Sequence, residues 1–76
     1  MYIVQEYYFL HDKVQSHPVS IRNTLKEAYE DIKDVFNMDP RQYFIVPSIP
    51  GKYRREFIEY ALNKCPSKQI LTILKE

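Results

Sequence analysis

The sequence predicts a small α/β protein, one domain over residues 1–76, in the order β-α-β-α-β, with a three-stranded, mostly parallel sheet and two helices. Three observations carry this expectation. Segments rich in Tyr, Ile, Val and Phe alternate with segments whose apolar residues recur at helical spacing. The prolines, at 18, 40, 47, 50 and 66, fall between these segments and never inside one. A length of 76 residues allows one hydrophobic core and no more.

The first segment, Tyr2 to Leu10, contains no breaker and reads as a strand. One face carries Ile3, Gln5, Tyr7 and Phe9, and the other Tyr2, Val4, Glu6, Tyr8 and Leu10. Both faces are mostly apolar, which predicts cover on both sides and a place in the middle of the sheet. His11 to Val19 is polar, contains Pro18 and reads as a loop. Ser20 is placed to cap a helix through its hydroxyl. Ile21, Leu25, Ala28, Ile32 and Val35 then recur at spacings of four, three, four and three, widened by Tyr29 and Phe36 into one apolar stripe.

Asn37 to Pro40 closes that helix, and Tyr43 to Val46 is a short apolar run of buried-strand type. Residues 50–64 predict the second helix, with Pro50 in its first turn and Pro66 beyond its end. Its inward side is expected to hold Tyr53, Phe57, Ile58, Ala61, Leu62 and Cys65, and its outward side Arg54, Arg55, Glu59 and Asn63. The tail, Gln69 to Leu74, suits a strand or a short helix; Ile70, Thr72 and Ile73 tip it to strand. Alternating elements favour parallel pairing. A doubly covered first strand gives strand order 2-1-3 with one helix on each face. The rival order, 1-2-3, leaves a tyrosine-rich face bare and would require a homodimer or another target to cover it.

Hydrophobic content of 45% beside 28% charged residues marks a folding chain rather than a disordered one. The lone Cys65 cannot form an intramolecular disulfide, and no apolar stretch approaches the ~20 residues of a membrane span, so a cytoplasmic protein without membrane contact is expected. The net charge of +1 hides an asymmetry: residues 1–40 carry −3 and residues 41–76 carry +4. Seven tyrosines and no tryptophan suit half-buried core edges and recognition surfaces.

The catalytic inventory is thin. His11, Asp12 and His17 share one segment but lack the third ligand that a zinc site needs. Cys65 sits at a helix C-terminus, the negative end of the dipole and a poor setting for a thiolate nucleophile. Nucleotide-binding and nucleophile-elbow signatures are missing: Gly51-Lys52 is followed by Tyr53 where a P-loop has Ser or Thr. No enzyme activity, metal or cofactor is expected. What stands out is the start of the second helix, where Gly51, Lys52, Tyr53, Arg54 and Arg55 set cations against the positive end of the macrodipole, at ~0.3–1 kcal/mol each when exposed.

In a parallel sheet of order 2-1-3, the loops after the first two strands meet at the strand-order reversal. Lys13 and His17 would then join Gly51, Lys52, Tyr53, Arg54 and Arg55 on one anion-facing edge. The expected function is a small non-enzymatic regulatory module that binds a protein partner, in the manner of accessory factors or inhibitors, including phage-type ones. The alternative is a nucleic-acid-binding module that uses the basic start of the second helix, best suited to single strands.

Overall fold

The computed structural model describes residues 1–76. It holds four strands rather than three: β1 (Tyr2–Leu10), β2 (Lys13–Arg22), β3 (Tyr43–Val46) and β4 (Gln69–Lys75). Two helices, α1 (Leu25–Met38) and α2 (Arg54–Lys64), separate the last three, and a 3₁₀ turn (Gly51–Tyr53) leads into α2. The sheet order is β2-β1-β4-β3, with β1 antiparallel to both of its neighbours and only β3 and β4 parallel. The expected mostly parallel sheet of order 2-1-3 is thus replaced by a mixed one, although β1 does lie inside it.

The additional strand is the segment expected to be a loop. His11 and Asp12 form the two-residue turn of a β1–β2 hairpin, with φ of 54° and 62°. Paired positive φ is the mark of a type I′ turn, which usually announces itself as Asn-Gly or Asp-Gly. Here His and Asp, both tolerant of the left-handed region, take its place, so the usual signal is missing. Pro18 sits on the outer edge, where no ladder partner needs its missing N–H. The register moves from Val4↔Ser20 to Gln5↔Pro18, leaving Val19 as the extra residue of a bulge. Proline, bulge and terminal cations together blunt this edge against unwanted pairing.

Because β2 runs through Arg22, α1 starts later than the apolar spacing implies. Ile21 is an exposed strand residue, and Ser20 caps nothing. Thr24 is the cap: its hydroxyl oxygen accepts from the Glu27 N–H at 3.2 Å and donates to Glu27 Oε1 at 2.8 Å. Ser20 instead donates to Asp31 Oδ2 at 2.6 Å, beside a two-pronged Arg22–Asp31 pair at 2.7 and 3.1 Å. These bonds tie α1 to the strand that precedes it.

The core divides by face. Ala28 and Ile32 of α1 pack on Val4, Leu71 and Ile73, flanked by Tyr2 and Tyr43. Ile58 and Leu62 of α2 pack on Ile70 with Ile49, flanked by Tyr7, Phe9, Phe44 and Val46. Strand side chains alternate between faces, so Leu71 and Ile70 look in opposite directions and the helices cover opposite sides. The rival arrangement with both helices on one face, and its reason for a homodimer, falls away. No helix is long and apolar enough to cross a membrane.

Candidate functional site

Since β3 and β4 are parallel, the chain between them must return the length of the sheet, and α2 makes that return over β1 and β4. It leaves the outer part of the β1–β2 hairpin uncovered. An open groove of about 820 Å3 results, with Tyr7, Phe9 and Val14 on the sheet side and Ile58 on the helix side. Its rim carries Lys13, Arg54 and Arg55 as cations and Asp12 and Glu59 as anions. Tyr7 and Phe9 stand two residues apart on one strand and so share the groove's face with their cross-strand partners Ser16 and Val14.

The seven residues expected at an anion-facing edge divide. Lys13, Gly51, Arg54 and Arg55 line this groove. The premise that brought them together fails, because β1 and β3 do not run the same way and their carboxyl ends are not neighbours. What joins these residues is that the hairpin and α2 share one face. His17 does not line the groove; it pairs with Glu6 across the strands and faces that carboxylate on the other side of the sheet. Lys52 and Tyr53 stay outside it, with the ammonium 5.6 Å from the ring centroid.

Arg54 was expected to face outward and is instead half-buried, with its Nε shielded from solvent and without a hydrogen-bond partner. A buried donor left unpaired costs roughly 1–3 kcal/mol. Neither Arg54 nor Lys13 takes part in an ion pair, whereas Arg55 reaches Glu59 at 3.3 Å on an open helix surface. Gly51 does not owe its place to a left-handed φ. A Cβ there would meet Arg54 Nη2 at an ordinary contact distance of 3.6 Å, so Ala is accommodated. The 3₁₀ turn accepts the Tyr53 and Arg54 N–H groups on Pro50 O and Gly51 O, which leaves fewer free donors at the start of α2.

The other flank of α2 differs. Tyr53, Phe57 and Tyr60, of which the first two were expected to be buried, are 53, 39 and 61% exposed. Four- and three-residue steps place them on one stripe. Lys64 lies 5.2 Å from the Tyr60 centroid, and Lys68 lies 4.4 Å from that of Phe44 on the nearby strand β3.

On the opposite face of the sheet, Glu6 is only 7% exposed. Its carboxylate stands 4.0 Å from His17 Nε2, and the His17 ring meets Tyr8 edge-on at 5.5 Å. Burial, followed by the charges of Glu6 and Asp39, raises the Tyr43 phenol above its ordinary value. At 4.0 Å the Glu6–His17 contact is too long for a hydrogen bond. Nowhere do three or more His, Cys, Asp or Glu side chains gather as metal ligands would.

The groove residues absent from the expected site are Tyr7, Phe9, Asp12, Val14, Gln15 and Ser16 of the hairpin, together with Ile58, Glu59 and Asn63 of α2. The period-two pattern of β1 pairs Tyr7 with Phe9, but without the hairpin nothing marks them as lining a groove. No protein-family model, curated protein or solved structure matches this chain.

Proposed function

We propose that the protein is a small non-enzymatic interaction module that acts by binding a protein partner in the groove between α2 and the β1–β2 hairpin. The observation that carries this reading is a pair of aromatic rings, Tyr7 and Phe9, set in a groove whose rim holds the unpaired cations Lys13 and Arg54. Protein interfaces pair buried aromatic anchors with a polar edge, and arginine is enriched there. The test is affinity capture from native host lysate with wild type and an Arg54→Glu, Arg55→Glu variant, before and after nuclease treatment. The expected result is a defined protein that survives nuclease and moderate salt and is lost by the variant. Equal capture by both proteins, or capture abolished by nuclease, overturns the reading.

One observation favours a second reading, binding of single-stranded nucleic acid. It is the exposed stripe of Tyr53, Phe57 and Tyr60 with Lys52 and Lys64 over its rings, on the far flank of α2. Exposed rings beside cations offer stacking platforms along a phosphate backbone. Fluorescence anisotropy with labelled oligo(dT) distinguishes it. Two lysine–phosphate contacts, from Lys52 and Lys64, predict that log K falls against log salt with a slope of ~−1.4.

A further inference from the structure

We infer that the groove takes an extended peptide segment carrying a single carboxylate, which sits on Arg54, with apolar side chains on Tyr7 and Phe9. This rests on the protein-binding reading above and names its ligand class.

The groove's charge decides between ligand classes. Lys13, Arg54 and Arg55 oppose Asp12 and Glu59, a surplus of one positive charge. A nucleic-acid strand presents a phosphate at every step and would meet both rim carboxylates as well. One carboxylate among apolar neighbours matches the surplus. Of the three cations, Arg54 is the one held for it: Arg55 is already paired with Glu59, and Arg54 alone keeps a shielded donor without a partner. A guanidinium offers a planar fork that fits a carboxylate with two bonds.

Shape decides the conformation. Tyr7 and Phe9 are separated by about 6.6 Å along β1, the repeat at which an extended chain presents alternate side chains. The helical wall from Arg54 to Asn63 measures roughly 14 Å, the reach of about four extended residues.

The test uses the full chain and arrays of short terminally blocked peptides. In one set a central glutamate is flanked by Leu, Val, Phe and Tyr in all orders, and in matched sets the centre is glutamine, phosphoserine or lysine. The tightest peptides are then titrated in solution. The glutamate set should bind about tenfold more tightly than the glutamine set, the worth of one charge-assisted contact. Arg54→Gln should erase that difference, and Lys13→Gln, at an exposed position, should weaken binding about threefold. Far-UV circular dichroism checks that each variant folds, and Lys13→Gln carries the test if Arg54→Gln does not.

Equal binding of the glutamine set overturns the inference, as does tighter binding of the phosphoserine set or displacement of the peptide by oligo(dT). If no peptide binds while the Arg54→Glu, Arg55→Glu variant still loses its captured protein, this inference fails and protein binding in the groove stands. If capture is also unchanged in that variant, both fail.

Discussion

The two helices cover opposite faces of one sheet and are built on different terms. α1 is capped by Thr24, joined to β2 through Ser20, Arg22 and Asp31, and buries its apolar stripe on Val4, Leu71 and Ile73. α2 has no side-chain cap, opens on two arginines and leaves aromatic rings in solvent. Both buried polar atoms that lack a partner, Arg54 Nε and Thr72 Oγ1, belong to its side; Thr72 shares a face with Ile70, under α2. The lesson is a division of labour. Each helix buries two side chains and each exposes a tyrosine, so the division lies in the polar groups: those of α1 are capped and paired, whereas α2 starts uncapped on an arginine with an unpaired donor. Satisfied groups stabilise, whereas groups left unsatisfied cost stability unless a ligand completes them.

The strongest way to break this contrast is in the cores, where it should vanish. Ile32→Ala under α1 and Leu62→Ala under α2 each remove a side chain that is at most 2% exposed. Both should cost about 2–5 kcal/mol in urea or thermal unfolding, a large share of what a chain this small can have. A Leu62→Ala loss well below 1 kcal/mol would mean that α2 is loosely attached.

Capping and polar satisfaction should then separate the two sides. Thr24→Ala should destabilise by about 1 kcal/mol, since it strips the only side-chain cap on either helix. Thr72→Val should move the other way, by up to about 1 kcal/mol, because it keeps the shape and removes a buried hydroxyl without a partner. Denaturation midpoints of the two variants on either side of wild type would sharpen the comparison. A destabilised Thr72→Val would show that the hydroxyl is satisfied, by water for example.

Acid pH offers a gentler probe of α1 alone. The hydrogen bonds from Arg22 and then Ser20 lower the Asp31 carboxyl below its ordinary value, against a smaller opposing effect of burial. A carboxyl depressed in the folded state adds stability above its unfolded value, near ~4, and loses it as pH falls through the folded one. Asp31→Asn should therefore be less stable than wild type at neutral pH and converge with it in acid. Parallel stability curves for the two proteins would remove the ion pair from the account of α1. The smallest effect belongs to α2: Arg55→Gln should stay within about 0.5 kcal/mol, since an exposed i, i+4 pair is lost while a cation leaves the helix start. Weakened capture at unchanged stability would mark Arg55 as a binding residue.

Much of the local structure is legible in the residues. Tyr2–Leu10, Tyr43–Val46 and the tail Gln69–Lys75 are strands because β-branched and aromatic residues run unbroken there, and Ala28, Ile32 and Val35 mark one helical stripe. The hairpin is not legible. His11 and Asp12 adopt positive φ without glycine, and β2 is an edge strand exposed at all but Val14 and Ser20, so no apolar alternation reveals it. That one omission moved the start of α1, turned the order from 2-1-3 into a mixed sheet and hid the floor of the groove. The basic start of α2 was visible as a cluster, but local spacing could not separate Arg54, drawn inward, from Tyr53, left outside.

The amino-acid order by itself determined a small α/β chain, its two helices, three of its strands and a charge division between its halves. Periodicity and breakers act over a few residues, and these features need nothing longer. Strand direction, sheet order and the meeting of Lys13 with Gly51, Arg54 and Arg55 were decided by tertiary structure. They depend on which apolar faces can be buried together, a competition among segments far apart in the chain. Local propensity carries no information about its outcome.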